Sequence, residues 1–372
     1  MYKTHKKEKK MKKLLSVLLA LLMVFALVGC GAKEEGGADE PTVESNIVGV
    51  SMPTKSLQRW IQDGDNMKSQ LEAAGYQVDL QYAGDNDIPT QVSQIENMIA
   101  EGVKVLVIAA IDGTSLGTVM DQAKEAGIPV IAYDRLIMQS DAVTYYATFD
   151  NYKVGTLQGQ FIEEKLDLKN ATGTYNIEFV AGDPGDNNAG FFFNGAFDVL
   201  KPYLDSGVLN CVSGQTTFEE VATASWSTET AQSRFENIVN SYYADGTVLD
   251  AVCCSNDSTA LGATNAIQAK YTGGNTPIIT GQDCDKANVP NIIAGVQSMA
   301  VFKDTRTLAS KVVGMIDAIM KGVEPEINDT KTYDNGTGIV PSFLCDPIVC
   351  TAENYKEILL DSGYYTAADI GQ

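Results

Sequence analysis

From Asn46 onward, apolar residues fall into two alternating rhythms. Short β-branched runs, Asn46 to Met52, Val78 to Tyr82, Val103 to Ala109 and Pro129 to Tyr133, read as strands. The third is apolar almost throughout, as a strand covered on both faces must be. Between the strands, Trp60 to Ala74, Pro89 to Glu101 and Thr114 to Ala126 carry apolar side chains at helical spacing, and Gly75, Gly102 and Gly127 end them. The rhythm then restarts. Tyr175 to Ala181, Leu209 to Val212, Leu249 to Cys254 and Pro277 to Thr280 read as strands; Asn188 to Leu204, Thr230 to Tyr243 and Ser258 to Lys270 read as helices. A long helix from Thr305 to Lys321, short strands Gly338 to Phe343 and Pro347 to Cys350, and a last helix from Ala352 break the pattern. The alternation predicts an α/β fold of two Rossmann-like lobes, each a parallel sheet with helices on both faces. Ligands of such sheets sit in a crevice beyond the carboxyl ends of the strands.

The chain's start is different in kind. Lysines between Lys3 and Lys13 precede an apolar run, Leu14 to Val28, that is short for a membrane span of ~20 residues. A basic start, an apolar core and small residues before Cys30 describe an export signal over residues 1–29. Gly31 to Pro41 is small and charged, so residues 30–45 read as a flexible tether. What remains, roughly 325 residues, suffices for two domains.

Charge and composition narrow the chemistry. The 372 residues carry a net charge of −21, and the leader's seven lysines and one glutamate leave the rest near −27. Such a surface repels phosphates, which excludes nucleic acid as a partner. The one histidine, His5, lies in the leader, so the mature chain has no histidine for Ser-His-Asp or Cys-His catalysis or for a zinc site. GxSxG, P-loop, GxGxxG and HExxH motifs are absent. The enzyme alternative left is carboxylate-only glycoside hydrolysis using Asp134 and Asp283; the reading here is a non-enzyme without cofactor or metal. No CxxC occurs; Cys345 and Cys350 are spaced to pair across a turn, and otherwise the cysteines read as small buried residues.

Polar residues collect just after the predicted strands: Arg59 and Trp60, then Asp134-Arg135, Asp186-Asn187-Asn188, Asn256-Asp257, Asp283 and Gln297, with Trp226 in a long polar connection. This mixture suits a sugar. Each hydroxyl both donates and accepts, which carboxylates, amides and guanidinium groups satisfy in pairs, while tryptophan faces cover the C–H patches of the ring. Asn256 and Asp257 also have the character of helix caps.

At these residues the chain resembles the type I periplasmic sugar-binding proteins of ABC importers, in particular the multiple-sugar-binding receptor and D-xylose-binding group. The stretches that carry the resemblance are Pro53 to Ser56 with Arg59-Trp60, Gln91 to Asn97, Val105 to Asp112, Ala132 to Arg135, Tyr145 to Asn151, Asp186 to Asn188, Gly281 to Asp283 and Phe302 to Thr305. The resemblance implies two lobes joined by a three-segment hinge, 46–149 plus 299–330 and 150–298 plus 331–372, with crossings near Phe149, Ser298 and Val340. It implies that Arg59, Trp60, Asp134 and Arg135 grip the sugar from one lobe. Asn187 or Asn188, Trp226, Asn256, Asp257, Asp283 and Gln297 would answer from the other. Leu27-Val28-Gly29-Cys30 resembles a bacterial lipobox, which implies lipidation of Cys30. The expected protein is a monomeric, extracytoplasmic, lipid-anchored receptor. It would bind an aldose (xylose, glucose, galactose or arabinose) and deliver it to an ABC permease in the membrane. A sensor presenting sugar to a chemoreceptor or histidine kinase is the alternative.

Overall fold

The structure, a computed structural model, describes residues 46–372; the signal, the tether and Cys30 lie outside the described residues. A six-stranded sheet has the order β11-β5-β4-β3-β1-β2. Its members are β1 (Ile47–Met52), β2 (Gln77–Tyr82), β3 (Val105–Ile108), β4 (Val130–Tyr133), β5 (Val143–Phe149) and β11 (Ser342–Cys345), all parallel. A four-stranded parallel sheet has the order β7-β6-β8-β9, from β6 (Tyr175–Val180), β7 (Leu209–Asn210), β8 (Ala251–Cys254) and β9 (Ile278–Ile279). In both sheets the first strand stands between the second and the third, so each has a switch point where neighbouring loops diverge and leave a crevice. The two-lobe α/β expectation is the observed architecture.

The six-stranded sheet is covered by α1 (Gln58–Ala73), α2 (Ile88–Glu101), α3 (Gly117–Glu125) and the late helix Thr305–Met320. The four-stranded sheet is covered by Asn151–Lys165 and Asn187–Ser206, called α4 and α5, and by α6 (Thr228–Tyr242) and α7 (Asp257–Lys270); the late helix is α8. One apolar cluster packs Val50, Leu71, Val107 and Val312 on one face of the larger sheet; another packs Ile95, Leu106, Met120 and Ala132 on the other. Burial on both faces explains the uninterrupted apolar reading of β3.

Asp150, Asp186, Asn256 and Asp304 start α4, α5, α7 and α8 by accepting hydrogen bonds from backbone amides of the first turn, at 3.0, 2.9, 3.0 and 3.0 Å. Each follows a strand closely, so the cap also fixes where the strand-end loop points.

Helix α4 and strand β5 are absent from the sequence reading. The buried face of α4 includes Gly155, Gln158 and Gly159, which do not register as an apolar stripe. These glycines let α4 and α5 touch backbone to backbone: a Cβ on Gly155 would lie 1.9 Å from the Phe192 carbonyl oxygen, and one on Gly195 2.2 Å from that of Tyr152. Gly155→Ala is therefore expected to lower stability by about 2–3 kcal/mol through overpacking. A urea midpoint equal to that of the parent protein would contradict this packing account.

The hinge differs from the expected boundaries. Strand β10 (Ala300–Phe302) pairs with β12 (Ile348–Cys350), and its Val301 bridges Gln282, so residues 300–302 join the C-terminal lobe rather than the N-terminal one. Strand β11 pairs with β5, and Tyr333 and Val340 pack in the N-terminal core, so residues 333–345 join the N-terminal lobe rather than the C-terminal one. The second and third crossings thus fall at Lys303-Asp304 and Asp346-Pro347, not near Ser298 and Val340. Strands of three or four residues carry too little pattern to declare which sheet they join.

Cys345 and Cys350 are both free; one packs in the N-terminal core and the other in a C-terminal cluster, so the turn between them does not bring them together as a pair.

Candidate functional site

A narrow cavity lies between the two sheets. Its walls include Arg59 and Trp60 at the start of α1, Asp134 and Arg135 after β4, Asp186 after β6, Trp226, Asn256 after β8, Gln282 and Asp283 after β9, and Lys303 after β10. Seven of the residues predicted from sequence, Arg59, Trp60, Asp134, Arg135, Trp226, Asn256 and Asp283, therefore line one space.

Arg59 is the hub of its charges. Its Nε donates to Asp63 at 2.7 Å, Nη2 to Asp134 at 2.5 Å and Nη1 to Asp283 at 3.2 Å. Lys303 Nζ stands 3.2 Å from Asp283 and 3.9 Å from Asp134. Two cations thus hold two carboxylates from opposite lobes at one edge of the cavity. At the other edge Arg135 Nε faces Asp186 at 3.0 Å, its Nη1 donates to the carbonyls of Ala110 and Ile111, and its guanidinium lies 4.9 Å over the Trp60 ring.

Asp134 is held in a left-handed backbone conformation, φ 58°. Its amide donates to Ala147, while its carbonyl accepts from Tyr146 Oη, Thr148 Oγ1 at 3.0 Å and Asn188 Nδ2 at 2.6 Å. That explains Asn188: it does not line the cavity but reaches across from α5 to fix the Asp134 backbone. Asn187 neither lines the cavity nor is fully buried.

Asp257 and Gln297 also lie behind the wall. Gln297 Nε2 donates to Asp257 Oδ1 at 2.8 Å, and the Asp285 amide donates to Asp257 Oδ2 at 2.8 Å. A Cβ on Gly281 would lie 2.1 Å from Asp257 Oδ1 and 2.3 Å from Gln297 Nε2. These two side chains therefore pack behind the Gly281-Gln282-Asp283 loop and do not line the cavity. Asp283 itself has a φ of 95°, which is unfavourable for a residue with a side chain. The helix cap at this position is Asn256, not Asp257.

Sequence reasoning grouped Asp186 with the strand-end polar residues without naming it among those that grip a ligand, and it left Lys303, Gln282, Asp285, Ser258, Leu57 and Phe192 out of the site. Asp186 follows a strand and was within reach of that rule. Lys303 follows β10, a strand too short to be seen, and Phe192 faces the cavity from the first turns of α5. Phe192 also meets the Trp226 ring edge-on, with centroids 6.2 Å apart. Gly182 leaves the room for that indole: a Cβ there would lie 1.9 Å from it.

Burial sets the ionisation of the site. It would raise the Asp134 carboxyl, but the Arg59 and Lys303 cations outweigh it and hold that carboxyl below the usual range. Burial raises Asp63 to about 6 despite Arg59. Burial and the neighbouring Asp283 raise Asp285 to about 7. Burial likewise raises Asp186 and Asp257. The folded chain therefore binds protons at these carboxyls more tightly than the unfolded chain does. This contribution to stability is greatest below the unfolded carboxylate range and is lost as pH rises through about 6 to 7. Unfolding free energy is expected to fall from pH 5.5 to pH 8 by about 1.4 kcal/mol per pH unit for each extra proton held. Asp285→Asn should flatten the upper part of that profile. Urea midpoints that rise steadily across the range would contradict the assignment.

Residues 48–324 match the periplasmic binding protein domain family. Over 327 residues the chain is 52% identical to the multiple sugar-binding periplasmic receptor ChvE of Rhizobium radiobacter, covering 87% of this chain and 92% of that protein. It is 37% identical to the D-xylose-binding periplasmic protein of Escherichia coli, with 87% and 92% covered. Among solved structures, an ABC transporter solute-binding protein from Clostridium phytofermentans with bound β-D-glucose shares 68% identity and a TM-score of 0.86, with 87% of this chain and 99% of that one covered. A carbohydrate transporter solute-binding protein from Chloroflexus aurantiacus in complex with D-glucose shares 35% identity and a TM-score of 0.77, with 87% and 97% covered. With two Rossmann-like lobes meeting at a polar, tryptophan-walled crevice, and with relatives that match along nearly their whole length, the chain belongs to the periplasmic binding protein family, in its type I sugar-binding group.

Proposed function

We propose that this chain is an extracytoplasmic solute-binding protein of an ABC-type monosaccharide importer, anchored by a lipid on Cys30, which closes its lobes over an aldose. One observation carries the reading. Among the buried polar atoms without a protein partner, Trp226 Nε1, Gln282 Oε1 and Asp285 Oδ1 belong to residues that line the same cavity. A donor and two acceptors left unmatched in one buried space are costly unless a ligand supplies the complementary groups. Sugar hydroxyls supply both kinds. Trp60, Trp226 and Phe192 offer aromatic surface for the ring, and Asp134, Asp283, Arg59, Lys303 and Arg135 offer charge-assisted bonds.

Closure follows from where these groups reside. Arg59 and Asp134 belong to one lobe and Asp283 and Trp226 to the other, so a sugar touches its full set of partners only when the lobes meet. Its binding energy then shifts the open–closed population. Micromolar affinity needs about −8 kcal/mol, which several charge-assisted bonds of ~1.5–3 kcal/mol and ring stacking supply after ordering costs. The glucose-bound relatives support glucose as the first sugar to try, with xylose next. The closed form would dock on the permease as a monomer.

The test is isothermal titration of the mature chain, refolded to remove carried-over ligand, against glucose, xylose, galactose, arabinose and ribose. Micromolar or tighter binding to one or two of them supports the reading; no heat with any of them removes simple aldoses as the ligand. Loss of labelled-acyl incorporation in Cys30→Ala checks the anchor separately.

A further inference from the structure

Six free cysteines lie among the described residues. Cys253 and Cys254 belong to β8, Cys345 fills the N-terminal core, and Cys211 packs beside Glu178. Cys284 and Cys350 form a separate group. Both are fully buried in one cluster with Val289, Ile292, Phe302 and Leu359. The strand pairing explains how residues so distant in sequence come together. Cys350 ends β12 opposite Ala300 of β10, while Gln282 bridges Val301 and the Asp283 amide donates to the Val301 carbonyl at 2.9 Å. Two left-handed residues in succession, Asp283 and Cys284 with φ 95° and 56°, then turn the chain, so that Asp283 lines the sugar cavity and Cys284 enters the cluster behind it. The two side chains share one buried cluster.

We propose that Cys284 and Cys350 are a modification site: they join in a disulfide once the chain is outside the cytoplasm, stapling the C-terminal segment to the loop that carries Asp283. The proposal rests on the extracytoplasmic reading and is independent of which sugar binds. The oxidant is a low-molecular-weight disulfide. The Cys350 thiolate attacks one of its sulfurs, breaks that S–S bond, forms a mixed disulfide and releases one thiolate. The Cys284 thiolate then attacks the Cys350 sulfur, forms the protein disulfide and releases the second. The two protein thiol protons end on the two released thiols; the protein pair loses two electrons and the small disulfide gains them. Both thiols are covered in the folded chain, and burial pushes the Cys284 thiol well above its usual range. Exchange therefore proceeds during folding, or when the segment after Cys350 opens, and is slow in the closed native fold.

The staple has a consequence for the sugar site. Tyr365 Oη donates to the Cys284 carbonyl at 3.0 Å and accepts from the side-chain amides of Gln58 and Gln62 at 2.8 and 2.9 Å. The C-terminal segment thus links the helix that carries Arg59 to the loop that carries Asp283. Fixing it to Cys284 stiffens the junction between the two lobes.

The test refolds the mature protein with a mixture of reduced and oxidised glutathione, then alkylates it in denaturant and maps the peptides by mass. The expected result is a cross-linked peptide pair containing Cys284 and Cys350, with four of the six cysteines alkylated. Tm should exceed that of the dithiothreitol-reduced protein by roughly 5 °C. Cys350→Ala should give neither the cross-link nor the redox-dependent Tm, while still folding. Six alkylated thiols after oxidative refolding, or a bond joining a different pair such as Cys345 and Cys350, would overturn the proposal. The mapping needs no sugar, so a failed sugar titration leaves its outcome readable.

Discussion

Asp134→Asn is expected to lower sugar affinity by about 100-fold or more while the chain stays folded. In the proposed binding mode the carboxylate would contribute charge-assisted bonds of ~1.5–3 kcal/mol each, so its loss would remove one or two of them from the bound state. Folding survives for local reasons. The three bonds to the Asp134 carbonyl come from Tyr146, Thr148 and Asn188 and do not involve its side chain. Arg59 keeps Asp63 and Asp283 as partners, and Lys303 keeps Asp283. Asparagine tolerates the left-handed conformation at φ 58°, whereas alanine adds strain there. Titration calorimetry with the sugar that the parent protein binds, beside a thermal melt, reads both parts. Unchanged affinity in a folded variant would move the sugar away from Asp134.

Arg59→Met is expected to damage folding as well as binding, and this separates the two residues. Arg59 is buried and serves three carboxylates, those of Asp63, Asp134 and Asp283. Asp63 is fully buried and otherwise bonds only to Tyr133 Oη, so removal of the guanidinium leaves it without a countercharge. Breaking a buried pair by deleting one partner costs about 3–5 kcal/mol. Part of that loss should be recovered at low pH, because Asp63 and its neighbours can then take up protons in the folded state. A melt and a urea titration at two pH values test this. A variant as stable as the parent at pH 8 would show that the Arg59 network carries no stability.

The fold was legible where pattern was long. β3 and α2 announced themselves, because Val, Ile, Leu and Met dominate their buried positions at regular spacing. Helix α4 was not legible, because its buried face is glycine and glutamine and its packing is backbone on backbone. The hinge was legible in kind but not in place, since β10, β11 and β12 are too short to show which sheet they complete.

The site divides along the same line. Residues directly after a visible strand, such as Asp134, Asn256 and Asp283, could be found by position and chemistry. The same rule also picked Asn188, Asp257 and Gln297, which are buried polar residues behind the cavity wall. Sequence cannot tell a side chain that faces a ligand from one that holds its neighbour's backbone. Lys303 is the converse case: a charged residue only 2% exposed, placed by a strand that the pattern concealed.

The central claim is that an aldose binds between the lobes and draws them together. Small-angle X-ray scattering of the refolded mature chain, titrated with glucose, tests it most directly. The account predicts a radius of gyration that falls as glucose is added and saturates with the calorimetric affinity. A radius that stays constant while heat of binding is measured would place the sugar outside the crevice and contradict closure.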